Sequence, residues 1–298
     1  MVLVVPLLLT GLINRIKSLW SGRRGPPLLQ PTYDVIRLLR KSPVYGNSAT
    51  LLFRIAPWVF LVTAWASAAV TPLVGLEPIV SFPFDFVWLA YVWALGRVGI
   101  MLAALDTGSS FAGMGSAREA LFSTLLEPTV FLAAGALCLS SAGQTLHQAL
   151  TLRLDSGSAT FVVWAGAVVA FFIILQVEAG RMPIDDPTTH LELTMVHEVM
   201  ALDHSGPELA AIQYGSALKL YVATSIVATL LNPWASSGGL RGAVAHAALC
   251  VFVAVVVGCI ESLIARLALR AVPKYIAVAL TSSAIALLAT AWRTGGAG

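Results

Sequence analysis

The run ATFVVWAGAVVAFFIILQV, residues 159–177, holds no acidic or basic side chain and ends abruptly at Glu178-Ala179-Gly180-Arg181-Met182-Pro183-Ile184-Asp185-Asp186. As a helix it would rise about 28 Å, close to the ~30 Å thickness of a bilayer's hydrocarbon core. Seven further apolar runs cover 1–13, 55–74, 82–104, 120–139, 211–231, 243–263 and 276–292. The composition agrees: 58% hydrophobic, 11% charged, mean hydropathy +0.84, where soluble domains carry about 25% charged residues. The reading is an all-α polytopic membrane protein of about eight transmembrane helices, forming a single membrane domain over residues 1–298. No internal repeat or low-complexity tract interrupts it. The first run would rise only about 20 Å, so the first helix is thin or the sequence starts inside it. A signal peptide fits poorly, because the charges follow the apolar run instead of preceding it.

Orientation follows from the basic residues. Counted alternately over the connections, fifteen of the 18 Lys and Arg fall on one side, and only Arg153, Arg241 and Arg293 on the other. Positive charge marks the cytoplasmic side. Both termini therefore face outward, and the connections 14–54, 105–119 and 178–210 are cytoplasmic. A seven-span arrangement without the first run keeps the same cytoplasmic face.

Residues 178–210 hold Glu178, Asp185, Asp186, Glu192, Glu198, Asp203 and Glu208 against a single Arg181. A solvated loop is one reading. The interleaved Leu191, Leu193, Met195, Val196, Val199, Met200 and Leu202 favour a helix folded against the membrane face or a partner. If the fifth span persists past its end, Glu178 and Arg181 share a face and can pair. Pro183 and Pro187 then break the helix, leaving Asp185 and Asp186 on a turn.

Charge inside a span costs several kcal/mol, so each such residue is a functional candidate. Glu127 lies well inside the fourth run, in Leu125-Leu126-Glu127-Pro128, where Pro128 frees the carbonyl of Thr124. A carboxyl enclosed there can exchange protons, unless it is a protonated structural group. Lys219 and Arg97 each lie about two turns inside their runs and could snorkel to the interface. Glu261 lies near the cytoplasmic end of the seventh run, as an interfacial anchor or a buried acid. Glu127, Glu178, Lys219 and Glu261 together put ionisable groups on four spans, the set a polar path through the bundle requires.

Other patterns carry less. His197-Glu198 begins a His-Glu-x-x-His motif, but Ala201 stands at the second histidine. His190, His197 and His204 recur every seven residues and would align on one helix stripe, without matching cysteines. The glycines of 106–115 lack the Gly-Lys-Ser/Thr ending of a phosphate loop. Cys138, Cys250 and Cys259 fall in apolar runs with no cluster spacing, so this chain is expected to hold no metal or redox centre itself.

Gly22-Arg23-Arg24-Gly25-Pro26 with Leu29-Gln30 and Tyr33-Asp34 resembles the start of the subunit 1 family of respiratory complex I. So do Leu105-Asp106-Thr107-Gly108-Ser109, Ala117-Arg118-Glu119, Leu126-Glu127-Pro128 and Glu178-Ala179-Gly180-Arg181-Met182-Pro183-Ile184-Asp185. These matches run in order over nearly the whole chain. The continuation Asp186-Pro187-Thr188-Thr189-His190-Leu191-Glu192-Leu193-Thr194-Met195-Val196-His197-Glu198 is similar to the hydrogenase-4 branch, the membrane subunits of group 4 energy-converting [NiFe] hydrogenases and formate hydrogenlyases. His204-Ser205-Gly206 departs from the family's Tyr-Ser-Gly.

The resemblance implies a non-redox membrane-anchor and coupling subunit of the inner (cytoplasmic) membrane. Its partners would be soluble hydrogenase-like large and small subunits, antiporter-like membrane subunits and the lipid bilayer, and no nucleic acid. Iron–sulfur clusters and a nickel–iron centre would reside in partners, and a quinone could bind. By the same resemblance Arg23, Arg24, Asp34, Arg37, Arg97, Asp106, Arg118 and Glu119 belong to a docking face or chamber. Glu178, Arg181, Asp185, Asp186, Glu192, Glu198 and Asp203 would form an acidic lip, with His197 in the same docking or chamber set and Glu127 and Glu261 as the lip's buried continuation. The corresponding quinone-chamber subunit of a quinone-reducing complex I is the alternative. A free-standing secondary transporter fits less well, since that class shows inverted repeats and paired broken spans.

Overall fold

A computed structural model describes residues 3–46, 49–151, 158–185, 195–235 and 239–295. The described residues form eleven helices and no strand: α1 Val5–Trp20, α2 Gln30–Leu39, α3 Leu51–Val70, α4 Asp85–Asp106, α5 Ser110–Ser141, α6 Leu146–Leu150, α7 Ser158–Glu178, α8 His197–Ala201, α9 Gly206–Leu231, α10 Gly239–Leu263 and α11 Val272–Gly295. Seven of them, α3, α4, α5, α7, α9, α10 and α11, are long and apolar enough to cross a membrane. The chain is a polytopic α-helical membrane protein. The expected eighth span is the difference: α1 has 16 residues, a rise of about 24 Å, and packs along α9 and α10.

Local chemistry explains several helix starts. Thr50 caps α3 by accepting the Leu52 N–H at 3.2 Å, and Thr145 caps α6 by accepting that of Gln148 at 3.3 Å. Pro6, Pro31 and Pro207 sit in the first turns of α1, α2 and α9, where a missing N–H costs nothing. Pro57 and Pro128 fall inside α3 and α5 without ending them; neighbouring helices hold a membrane helix together through such residues. Hence α5 begins at Ser110, and the connection expected over 105–119 shrinks to three residues, 107–109.

The bundle is built around α9, of whose apolar window 83% is buried against 28% for α11. It packs on α3, α7, α10, α1 and α2. At the end where α3, α5 and α9 start, three features crowd together: α2, α8 and the turn after α7. At the other end Asp85, buried at the start of α4, accepts the Leu146 N–H at 2.5 Å and ties α6 to the bundle.

Candidate functional site

Glu178 is the last residue of α7 and lies buried where α4, α7 and α9 meet. One carboxylate oxygen accepts from the Arg97 guanidinium of α4, and the other pairs with Lys219 Nζ of α9 at 2.8 Å. Arg97 also reaches Glu127 of α5 at 3.0 Å. Lys219 is 1% exposed, and its ammonium stands 5.2 Å from the Phe60 ring centroid and 5.9 Å from that of Trp93. The aromatic faces hold a desolvated cation as the carboxylate does. Neither Arg97 nor Lys219 snorkels; both point into the bundle.

A second group adjoins the first. His197, opening α8, faces Glu119 of α5 at 3.4 Å and Asp185 at 3.8 Å. Asp185 also accepts the N–H groups of Val196 and His197 at 3.0 and 2.9 Å, and pairs with Arg266 beyond α10 at 3.2 Å. Burial disfavours the imidazolium, but Glu119 and Asp185 outweigh it and lift the His197 pKa to about 9. Burial pushes the Asp185 carboxyl up; the bonds and charge of His197 and the two N–H groups more than reverse this, so its pKa is lowered. Gly180 makes room for the ring: its φ of +57° suits glycine, and a Cβ there would sit 3.0 Å from His197 Nδ1.

Among the described residues, Arg97, Lys219, His197 and Arg266 thus interleave with the carboxyl groups of Glu178, Glu127, Glu119 and Asp185 in adjoining ion pairs. Charges this close together and away from water are weakly screened from one another. Arg97, Glu119, Glu178, His197 and Lys219 line a cavity of about 360 Å³, whose wall also includes Asn14 of α1 and Gln30, Asp34 and Val35 of α2. A third, separate group is buried beside it: Glu261 of α10 pairs with Lys17 of α1 at 3.1 Å and with Arg181 at 3.5 Å.

Several expectations are corrected. Glu127 is not enclosed: its side chain is 43% exposed on the bundle surface, held by Arg97. Glu178 and Arg181 do not pair, because α7 stops at Glu178 and the Gly180 turn carries Arg181 to Glu261. The acidic lip is no lip at Glu178, Arg181 or Asp185, which are 6%, 8% and 1% exposed. Glu261 is a buried acid, not an interfacial anchor. The histidine stripe fails because α8 has only five residues; His204 lies beyond it and stacks on Phe53 with ring centroids 3.9 Å apart.

Glu198 and Asp203 are exposed at this end of the molecule, Glu198 at the cavity rim. Arg118 donates to the Met195 carbonyl at 2.9 Å, and Asp106 accepts from Thr50 N–H and Oγ1 at 2.8 and 2.7 Å. Arg23 and Arg24 are exposed, while Asp34 pairs with Arg37 at 3.3 Å. Asp186, Glu192 and His190 lie outside the described residues. Lys17, Arg266 and Tyr45, whose hydroxyl donates to Glu208 at 2.7 Å, are pairing residues that sequence reasoning misses. Each looks in sequence like one more polar residue of a connection, since its partner lies far away along the chain.

The family model described as NADH dehydrogenase matches residues 1–291. The chain belongs to the NADH dehydrogenase family. It is 32% identical over 228 residues to hydrogenase-4 component C of Escherichia coli (strain K12), covering 76% of this chain and 71% of that one. To formate hydrogenlyase subunit 4 of the same organism it is 28% identical over 280 residues, with 90% and 88% covered. A subunit of the NADH-quinone oxidoreductase of Wolbachia pipientis wMel is 24% identical over 250 residues, with 76% and 72% covered. The fold also matches a chain of the membrane-bound sulfane sulfur reductase, an archaeal respiratory membrane complex, with a TM-score of 0.82, 18% identity and 97% and 95% covered.

Proposed function

We propose that this family member is the membrane-anchor and coupling subunit of a complex I-like, group 4 hydrogenase-type assembly in the inner membrane. It would dock a soluble redox arm and pass the energy of its electron transfer to ion-moving membrane subunits. The observation that carries the reading is the chain of ion pairs that runs from the cavity wall, through Lys219, Glu178 and Arg97, to the half-exposed Glu127. A reaction at the arm that displaced one charge at the cavity would be felt at Glu127 through Arg97, which binds both carboxylates. Glu127 faces outward from this chain, where a neighbouring membrane protein of the assembly could receive a proton or a cation.

Iron–sulfur clusters and a nickel–iron centre would then belong to partner subunits, with the relatives' names supporting a hydrogenase-type assembly. Asp203 and Glu198 offer exposed acids for the arm at the end taken as cytoplasmic. A second reading, the quinone-chamber component of a quinone-reducing complex I, draws on the cavity, which has room for a ring-sized ligand beside His197 and Lys219. Purifying the intact complex and assaying both hydrogen evolution and inhibitor-sensitive quinone reduction tests the two. Hydrogenase partners without quinone reduction uphold the first; inhibitor-sensitive quinone reduction without hydrogenase chains upholds the second. A lone chain with transport activity rejects both.

A further inference from the structure

The helix α2 has two faces and two neighbourhoods. Val35 and Leu38 are buried on Leu7, Ala210 and Ala217. The opposite stripe, Leu29, Tyr33 and Ile36, is 40%, 57% and 42% exposed, with Leu28 and Leu39 exposed beside it. Spacings of four and three residues place the stripe on one side of the helix. Four cations border it, Arg23, Arg24, Arg40 and Lys41, all exposed and with no ion pair among the described residues.

The helix is inclined across the bundle. Its leading end is deep: the Leu28 carbonyl lies against Gly11 in the middle of α1, so close that a Cβ there would meet it at 2.0 Å. Its trailing end is shallow: the Lys41 carbonyl lies 3.0 Å from where a Cβ of Gly206 would sit, at the first residue of α9. Between these points α2, about 15 Å long, runs obliquely from the middle of α1 to the start of α9. A soluble partner cannot reach the deep end, and water would leave the stripe unfavourably wet.

We propose that α2 and the loop before it bind anionic phospholipid of the leaflet on the basic side. The acyl chains lie along Leu29, Tyr33 and Ile36, and the phosphates meet Arg23, Arg24, Arg40 and Lys41. Tyr33 and Trp20, both exposed, are the aromatic types that settle at membrane interfaces. Because Gln30, Asp34 and Val35 of the same helix wall the cavity, the lipid braces that wall from outside.

The test uses the intact complex in mild detergent, offered phosphatidylglycerol or phosphatidylcholine, with retained lipids counted by native mass spectrometry. Each basic residue near an anionic surface contributes about fivefold in binding. Wild type should retain phosphatidylglycerol over phosphatidylcholine by at least about tenfold, and the R23Q/R24Q/R40Q/K41Q variant should lose that preference. A spin label on Tyr33→Cys, at a position already exposed, should collide with lipid-soluble oxygen more than with water-soluble nickel. An unchanged lipid preference in the variant overturns the proposal. So does a label reached only from water, or a variant that sheds the soluble arm while keeping its lipid preference.

Discussion

Replacing Glu178 by Gln removes the carboxylate between two buried cations and leaves Lys219 with its charge uncompensated. Breaking one side of a buried pair costs about 3–5 kcal/mol, so the variant complex should melt earlier and assemble in lower yield. Adding Lys219→Met to it should restore much of the loss, because removing both charges removes the imbalance. Thermal melts of the single and double variants check this; an equal loss in both would make Glu178 a packing residue only. At His197 the linkage has a definite sign. Its pKa is raised to about 9, so the stabilisation is complete below its ordinary value near 6.5 and vanishes as pH rises through about 9. Asp185, with a lowered pKa, gives stabilisation that is present above its ordinary value near 3.8 and lost as pH falls through its folded value. Protection of the amides across 195–201 in the intact complex, taken relative to their base-catalysed intrinsic exchange, should fall above about pH 9 in wild type, and His197→Gln should remove that pH dependence. A flat profile in wild type would mean that the imidazolium does not hold α8.

The short helix α8 rests on α5 at one point of very close approach. A Cβ on Gly115 would meet Val199 Cγ1 at 2.4 Å and the Val196 carbonyl at 3.1 Å. Gly115→Ala should therefore push α8 off its seat and move His197 away from Glu119, at a cost of about 1–3 kcal/mol from overpacking. Exchange protection at 195–201 should fall while that of α9 is kept; protection unchanged in the variant would place α8 elsewhere. At this scale the sequence is only partly legible. Long charge-free runs such as 159–177 announce themselves through hydrophobicity alone. The first three turns of α5 place Ser116, Arg118 and Glu119 in a segment that reads as polar loop, because their partners Met101, Met195 and His197 are far along the chain. The partners of Glu178 escape the sequence for the same reason: spacing along one helix offers Arg181, while the fold offers Arg97 and Lys219 from two others.

For the whole molecule, the distribution of Lys and Arg leads us to expect α2, α8 and the cavity on the cytoplasmic side and the C-terminus on the other. A tag fused after Gly298 should react with membrane-impermeant label in intact cells, and a label on the exposed Asp203, via Asp203→Cys, should not; the reverse pattern would invert the topology. The apolar runs carried the architecture, and a few fixed motifs carried the family. Neither could say that Glu127 stands half outside the bundle, since exposure depends on which helices flank α5. That position is central, because a coupling protein needs a titratable group where this chain meets another. The most direct measurement is the number of ions moved per electron pair by the intact complex in sealed vesicles, compared between wild type and Glu127→Gln. The account predicts a variant that assembles, keeps its soluble arm and catalyses electron transfer, with the ion yield per electron pair lowered severalfold or more. A fully assembled variant with the wild-type ratio would contradict it.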